Sequence, residues 1–231
     1  MPALSTALEA VIDCRWAGAQ ARMRGRLFNG LVFSADTMTA DLVTGHWTEF
    51  RRIVAQMDRP DLFAELHVRP LAVNGALHGP DGVAFGQRQA GAVYQPGQWQ
   101  LAPAGSVDDG AARPGGTVDV LAAVLAELRE EFGGRPASAR DPRPLAIVEH
   151  AGSHVLDLGI TLRTALAAGQ IRASHAASGN GEYPALEVVA MADLPDFLSR
   201  EAGNLTPQAL VFLACPAFRS GLEMPPAHHV G

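Results

Sequence analysis

Lysine is absent from the 231-residue sequence; all 18 basic residues are arginine. That excludes a phosphate-binding loop of the G-x-x-x-x-G-K-[ST] type, and it excludes lysine Schiff-base chemistry. Cysteine is nearly absent too. Cys14 and Cys215 stand far apart and form no C-x-x-C pair, thiolate zinc site or disulfide framework. No run of 18 apolar residues occurs, so no transmembrane helix is expected. The first residues, Met1-Pro2-Ala3-Leu4, do not lead from a basic segment into a signal-like apolar stretch. Charge is sparse at 18 %, and 24 acidic residues face 18 basic ones, a net charge of −6. No basic field is present to meet a phosphate backbone, which disfavours a dedicated nucleic-acid binder. The expectation is a soluble, cytoplasmic protein with no nucleic-acid or membrane partner and an open oligomeric state.

Hydrophobic residues reach 48 %, enough for a substantial core. The 24 glycines and 16 prolines point to long loops around it. Leu4, Leu8, Val11 and Ile12 leave residues 1–20 ambiguous, with a short helical stripe as one reading. Residues 26–35 read as a strand pair or a bulged strand with Asn29-Gly30 as a turn, and 38–43 as a nearby partner. Trp47, Phe50, Ile53, Val54 and Met57 recur at helical spacing, predicting a helix over 46–57. Arg51 and Arg52 on it suit an amphipathic helix on a sheet or, alternatively, a phosphate contact. Strands are expected at 67–76 and 83–88, joined through Pro80-Asp81-Gly82. Trp99 lies in a glycine-rich stretch, as a core anchor or beside a ligand. A helix over 118–132 is the clearest element, with Thr117 as N-cap and Gly133-Gly134 as its stop. Strands at 144–149, 154–162 and 185–191 follow, then helices at 194–200 and from Pro207 to about 217.

The chemically distinctive segment is Ala126-Glu127-Leu128-Arg129-Glu130-Glu131-Phe132-Gly133. Glu127 lies three residues from Glu130 and four from Glu131, so both pairs share a helical face. Glu130 and Glu131 point about 100° apart and converge only over a shared edge. Such a cluster repels itself unless something neutralises it. A divalent cation does so, and hard Mg²⁺ or Mn²⁺ suits all-oxygen ligands. A solvated acidic face balanced by Arg129 is the alternative.

This segment resembles the Nudix hydrolase box, G-x5-E-x7-R-E-U-x-E-E-x-G-U, through Glu127, Leu128, Glu130, Glu131 and Gly133. The resemblance extends over about 65–215 through Asp81-Gly82, Val83 to Arg88, Pro96 to Trp99, Leu101 to Gly105, and Glu182 to Pro195. The box departs from the pattern in several places. Ala126 replaces the arginine, Gly134 the closing apolar residue, Val118 the earlier glutamate and Ala112 the opening glycine. An insertion over Asp108 to Pro114 reconciles the register, bringing Gly105 into the glycine's place, and Arg129 with Asp119 is a candidate substitute pair.

The resemblance implies an α+β fold: a Nudix α/β/α sandwich with a mixed central sheet and an added N-terminal strand-helix section. The expected organisation is 1–64 as an extension packed on the core, 65–217 as the Nudix domain and 218–231 as a flexible tail. The implied metal ligands are Glu127, Glu130 and Glu131, with a carbonyl near Ala104 or Gly105. Glu149, Glu182 and Glu187 are candidates for a further acid, and Glu182 is preferred for its place before a strand. Glu130 or Glu131 is the implied base, and Arg88 the phosphate contact, although a surface role suits Arg88 too. The implied reaction is Mg²⁺- or Mn²⁺-dependent hydrolysis of a nucleoside diphosphate derivative. The added section resembles that of members cleaving nucleotide sugars such as UDP-sugars. The competing reading is a catalytically inactive Nudix-fold module for nucleotide binding or protein interaction. Glu149, His150 and His154 offer a weaker zinc reading, and His228-His229 a weak tail signal.

Overall fold

In a computed structural model of the chain, residues 4–39, 41–133 and 139–220 are described. The ambiguous N-terminus is helical. Helix α1, Thr6–Arg22, starts at Ser5, whose hydroxyl accepts from the Leu8 amide at 3.2 Å. Leu8, Ile12 and Ala19 form its buried face. Strands β1, Leu31–Met38, and β2, Val43–Glu49, make an antiparallel hairpin.

The expected helix over 46–57 therefore begins late. Residues His46 to Glu49 belong to β2 and pair with Ser34 back to Leu31. Trp47 sits edge-on to Phe33 across the hairpin, with ring centroids 5.5 Å apart. Helix α2 runs only Phe50–Asp58, followed by a short 3-10 turn and helix α3, Phe63–Leu66. The strand expected from residue 26 likewise begins at Leu31. Arg51 and Arg52 tie α2 to α1: Arg51 meets Asp13 at 2.7 Å, and Arg52 meets Glu9 at 3.1 Å. Glu49 joins the same group, 2.9 Å from Arg51. This charge network gives the arginine pair its structural role.

Strands β3, Leu71–Gly79, and β4, Gly82–Gln87, form the hairpin expected around Pro80-Asp81. They pair only near its tip, His78 with Val83 and Gly79 with Gly82. Beyond the tip they diverge. The wedge between them is filled by β5, Trp99–Leu101, on β4, and by β6, Ala104–Ser106, on β3. Strand β8, Leu156–Arg163, runs parallel to β3, and β7, Arg140–Glu149, runs antiparallel to β8. Strand β9, Ala185–Val189, lies on the far edge of β4. The sheet is thus mixed and splayed.

Alternation along β3 sends side chains into two cores. Val73 and Leu77 pack with Val124, Leu128 and Phe132 of helix α4, Val120–Phe132, and with Ile171 of helix α5, Ala168–Ser178. Ala76 packs on the other face with Phe197 of helix α6, Leu194–Arg200, and Phe212 of helix α7, Pro207–Ala214. Helices therefore cover both faces of a mixed sheet, the three-layer sandwich that the resemblance implies. Trp99 is 5 % exposed and packs edge-on to Phe197, as a core anchor should.

Helix α4 starts at Asp119 rather than Thr117. The Asp119 carboxylate accepts from the Ala122 amide at 2.9 Å, while Val118 is held in a bridge to Ala112. Gly133 ends α4 with a φ of 79°, a backbone angle open to glycine. Helix α5 is not anticipated from sequence: only Ile171 of it is buried, so it carries no apolar stripe. A last short helix, α8, covers Pro216–Ser220 and buries Phe218, so the residues just after 217 are helical rather than loose. Gly134, His228, His229 and the rest of the expected tail beyond 220 lie outside the described residues.

Candidate active site

Four carboxylates gather where α4 meets the splayed strands. Glu131 is fully buried. Its Oε1 accepts from the Ala104 amide at 3.1 Å and from the Tyr183 hydroxyl at 2.9 Å, whereas its buried Oε2 has no partner. Helix α5 fixes the backbone of this residue: the Ser178 hydroxyl donates to its carbonyl at 3.0 Å, and His175 Nδ1 lies 2.9 Å from the same oxygen. Glu127, one turn earlier, reaches Gly105 on β6. A Cβ at Gly105 would collide with the Glu127 carboxyl, so the glycine makes room for it.

The charges of these groups act on one another. Burial, then the charges of Glu182, Glu130 and Asp108, push the Glu127 carboxyl up to about 8. Burial and the Glu182 charge hold Glu131 well above the carboxylate range. Glu182 is itself raised by burial and by Glu130, and the Arg88 guanidinium opposes that rise. Glu130 is exposed at the rim. Of the three candidate downstream acids, Glu182 lines the cleft. Glu149 pairs instead with Arg69 at 2.7 Å, and Glu187 with Arg200 at 3.1 Å.

Arg88, at the end of β4, lines the same cleft. Its Nε donates to the Tyr94 carbonyl at 3.0 Å and its Nη1 to Gln100 at 3.1 Å. Gln100 donates onward to the Tyr183 hydroxyl at 2.8 Å. A chain of hydrogen bonds thus connects Arg88 to Glu131. The pairing suggested for Arg129 and Asp119 is not formed. Asp119 meets Arg113 at 3.3 Å, and Arg129 is exposed ten residues along the helix.

The cleft encloses about 600 Å³. One wall holds Arg88, Glu127, Glu182 and the Gly105 segment; Met23, Leu27, Phe50 and Met57 from the N-terminal elements line another. Asn74 and Asp157 also face it. Sequence reasoning passes over Asn74, Asp157, Gln100 and Tyr183. The available signal was a lone polar residue inside an apolar strand, as in Leu71-Ala72-Val73-Asn74-Gly75-Ala76-Leu77 and Val155-Leu156-Asp157-Leu158.

Among the described residues, no three His, Cys, Asp or Glu side chains already converge as a metal shell. The zinc reading is met only in part: His154 Nδ1 lies 3.1 Å from Glu149 and its ring stacks on Phe63, whereas His150 meets Asp157 at 2.6 Å. The glutamate cluster nevertheless has the chemistry of a hard-cation site. Its donors are all oxygen, Glu131 Oε2 is buried and unpartnered, and ionisation of the cluster is opposed by burial and mutual repulsion. Glu127, Glu131 and Glu182, with Glu130 at the rim, are the residues that could hold such an ion.

No family model matches the chain, and no curated protein does. Among solved structures, it is similar to Tm1382, assigned to the Nudix hydrolases: 12 % identity, TM-score 0.48, covering 86 % of this chain and 93 % of that one. It is also similar to the Nudix domain of Shewanella oneidensis NrtR, solved with ADP-ribose: 16 % identity, TM-score 0.47, covering 71 % and 99 %. DR0079 from Deinococcus radiodurans shows 15 % identity and a TM-score of 0.44, covering 81 % of this chain and 98 % of its own. No helix among the described residues is long and apolar enough to cross a membrane.

Proposed function

We propose that this chain is a divalent-metal-dependent pyrophosphohydrolase of the Nudix type, acting on a nucleoside diphosphate derivative. The observation that carries the reading is the carboxylate cluster of half-buried Glu127 and Glu182 with buried Glu131 at the cleft, with Arg88 beside it and Glu131 Oε2 left unpartnered. A bound Mg²⁺ or Mn²⁺ would screen the phosphates and acidify a water. Glu127, Glu131 and Glu182 are its proposed protein ligands. Tyr183 and the Ala104 amide hold one oxygen of Glu131 and leave the other available. Arg88 binds a phosphate oxygen; its place on the cleft wall near Glu182 supports that role. Glu130, exposed and close enough for its charge to act on both Glu127 and Glu182, takes the proton from the attacking water.

The proposed substrate is a nucleotide sugar such as a UDP-sugar. Apolar residues of the N-terminal elements border the cleft, which supports a ligand larger than a simple nucleotide. The organisation that accompanies this reading is an N-terminal extension, 1–64, against a catalytic domain, 65–217. A Mg²⁺-dependent hydrolysis screen tests it, with products separated by chromatography. UDP- and GDP-sugars, ADP-ribose, NADH, dinucleoside polyphosphates, coenzyme A and nucleoside triphosphates make up the panel. Chelator-sensitive cleavage of a sugar nucleotide is the expected result. Nucleotide binding without turnover would instead establish the inactive-module reading, which Ala126 and the diversion of Asp119 to Arg113 favour.

A further inference from the structure

Asn74 on β3 and Asp157 on β8 occupy the cleft but take no part in the chemistry above. The parallel register pairs Ala72 with Asp157 and Asn74 with Gly159, so Asn74 and Asp157 point to the same face of the sheet. Asn74 is 2 % exposed and Asp157 3 %. The Asn74 amide donates to Asp157 Oδ1 at 2.5 Å, and His150 Nε2 lies 2.6 Å from Asp157 Oδ2. Tyr94 closes over His150 edge-on, its hydroxyl 3.1 Å from the Ser153 hydroxyl.

This bracing fixes which way the Asn74 side chain points. The Asn74 NH2 donates to Asp157 Oδ1, so the amide nitrogen faces Asp157 and the carbonyl Oδ1 faces away. That Oδ1 is buried and has no partner. Among the described residues at the cleft, it shares that condition with Glu131 Oε2, which belongs to the carboxylate cluster. The neighbouring amides are occupied: Gln95 and Gln208 bond each other reciprocally, and Gln100 spans Arg88 and Tyr183. A buried acceptor without a donor is costly, and a ligand group that supplies one removes the cost.

We infer that Asn74, braced by Asp157 and His150, is a specificity-determining acceptor for an uncharged O–H or N–H donor of the substrate. The inference rests on the proposed substrate cleft. A phosphate is the wrong ligand here, because Asn74 Oδ1 offers no donor and the Asp157 carboxylate adds a like charge. The phosphates belong with Arg88. The neutral part of the substrate, either its glycosyl hydroxyls or the donors of its nucleoside, belongs with Asn74.

The test compares UDP-glucose with the methyl ester of UDP, which keeps the charge and lacks the sugar hydroxyls. Affinities are read by calorimetry in Mg²⁺ on a Glu130→Gln background, with and without Asn74→Leu. Asn74→Leu is expected to weaken UDP-glucose binding about tenfold or more. A loss confined to UDP-glucose places the donor on the sugar; an equal loss for both probes places it on the nucleoside. Asp157→Asn, which keeps the shape and frees the Asn74 amide to rotate, is expected to weaken binding several-fold. It carries the test if Asn74→Leu fails to fold, as read by melting temperature. Unchanged UDP-glucose affinity in the folded variant overturns the inference, and so does a parent protein that binds neither probe. Turnover of UDP-glucose by the wild type, with the same KM in Asn74→Leu, would sink the inference and leave the hydrolase reading standing. Asn74-dependent binding without turnover would do the reverse.

Discussion

Glu130 and Glu131 are adjacent in sequence and differ completely in environment. Glu131 is sealed beneath Tyr183 and the Ala104 amide, while Glu130 is exposed at the rim. Glu130→Gln should therefore leave the fold intact, within about 0.5 kcal/mol, and lower kcat by about a hundredfold or more. Equal turnover in the purified variant would remove Glu130 from the mechanism. His78 gives a separate prediction about stability. Burial, then the Arg163 charge, push its pKa down from 6.5 to about 4, and both ring nitrogens are buried without partners beside Phe218. Well above pH 6.5 the ring is neutral in both the folded and unfolded chain and adds no pH dependence. As pH falls from 6.5 towards 4, the unfolded chain takes up a proton that the folded one refuses, and stability drains away. His78→Phe should flatten that part of a melting-temperature profile; an unchanged acid slope would refute the assignment. At this scale the sequence is informative where partners are local. The spacing of Glu127, Glu130 and Glu131 is legible because one helix sets it. Tyr183 and Asn74 are not, because their partners lie 52 and 83 residues away.

Helix α4 is the element that joins stability to the site. Its apolar face packs into the core while Glu127 lines the cleft and Glu131 is buried against the Ala104 amide and Tyr183. Leu128 is 3 % exposed in that core, and Leu128→Ala should cost about 2–4 kcal/mol. An unchanged denaturant midpoint would contradict its packing. The stripe of α4 makes this helix readable from sequence, and the Pro195 and Pro207 positions do the same for α6 and α7. Other elements are hidden for physical reasons. The helical spacing that begins at Trp47 also fits a strand residue turned inward, and cross-strand contact with Phe33 decides for the strand. The N-cap falls on Asp119 because pairing of Val118 with Ala112 holds the chain extended for two more residues. Helix α5 shows only Ile171 to the core, so its alanine-rich sequence carries no period to read.

The whole molecule places its cleft where a hairpin opens. Strands β3 and β4 share only their tip, β5 and β6 fill the wedge, and helix-backed cores close both faces. The three-layer order is legible from the succession of strands and helices. The cleft's outer wall is not, because it depends on how α1 and α2 dock through Arg51, Arg52, Glu9 and Asp13. The same architecture brings the Glu127, Glu131 and Glu182 charges to bear on one another, and on the proposed reading a divalent cation would neutralise them. A Mn²⁺ titration, following free Mn²⁺ by electron paramagnetic resonance, tests this most directly on the wild type, Glu127→Gln and Glu131→Gln. Saturable uptake by the wild type, weakened at least about tenfold in each variant, is the predicted result. Equal affinity in all three proteins, or no saturable uptake by the folded wild type, would contradict it.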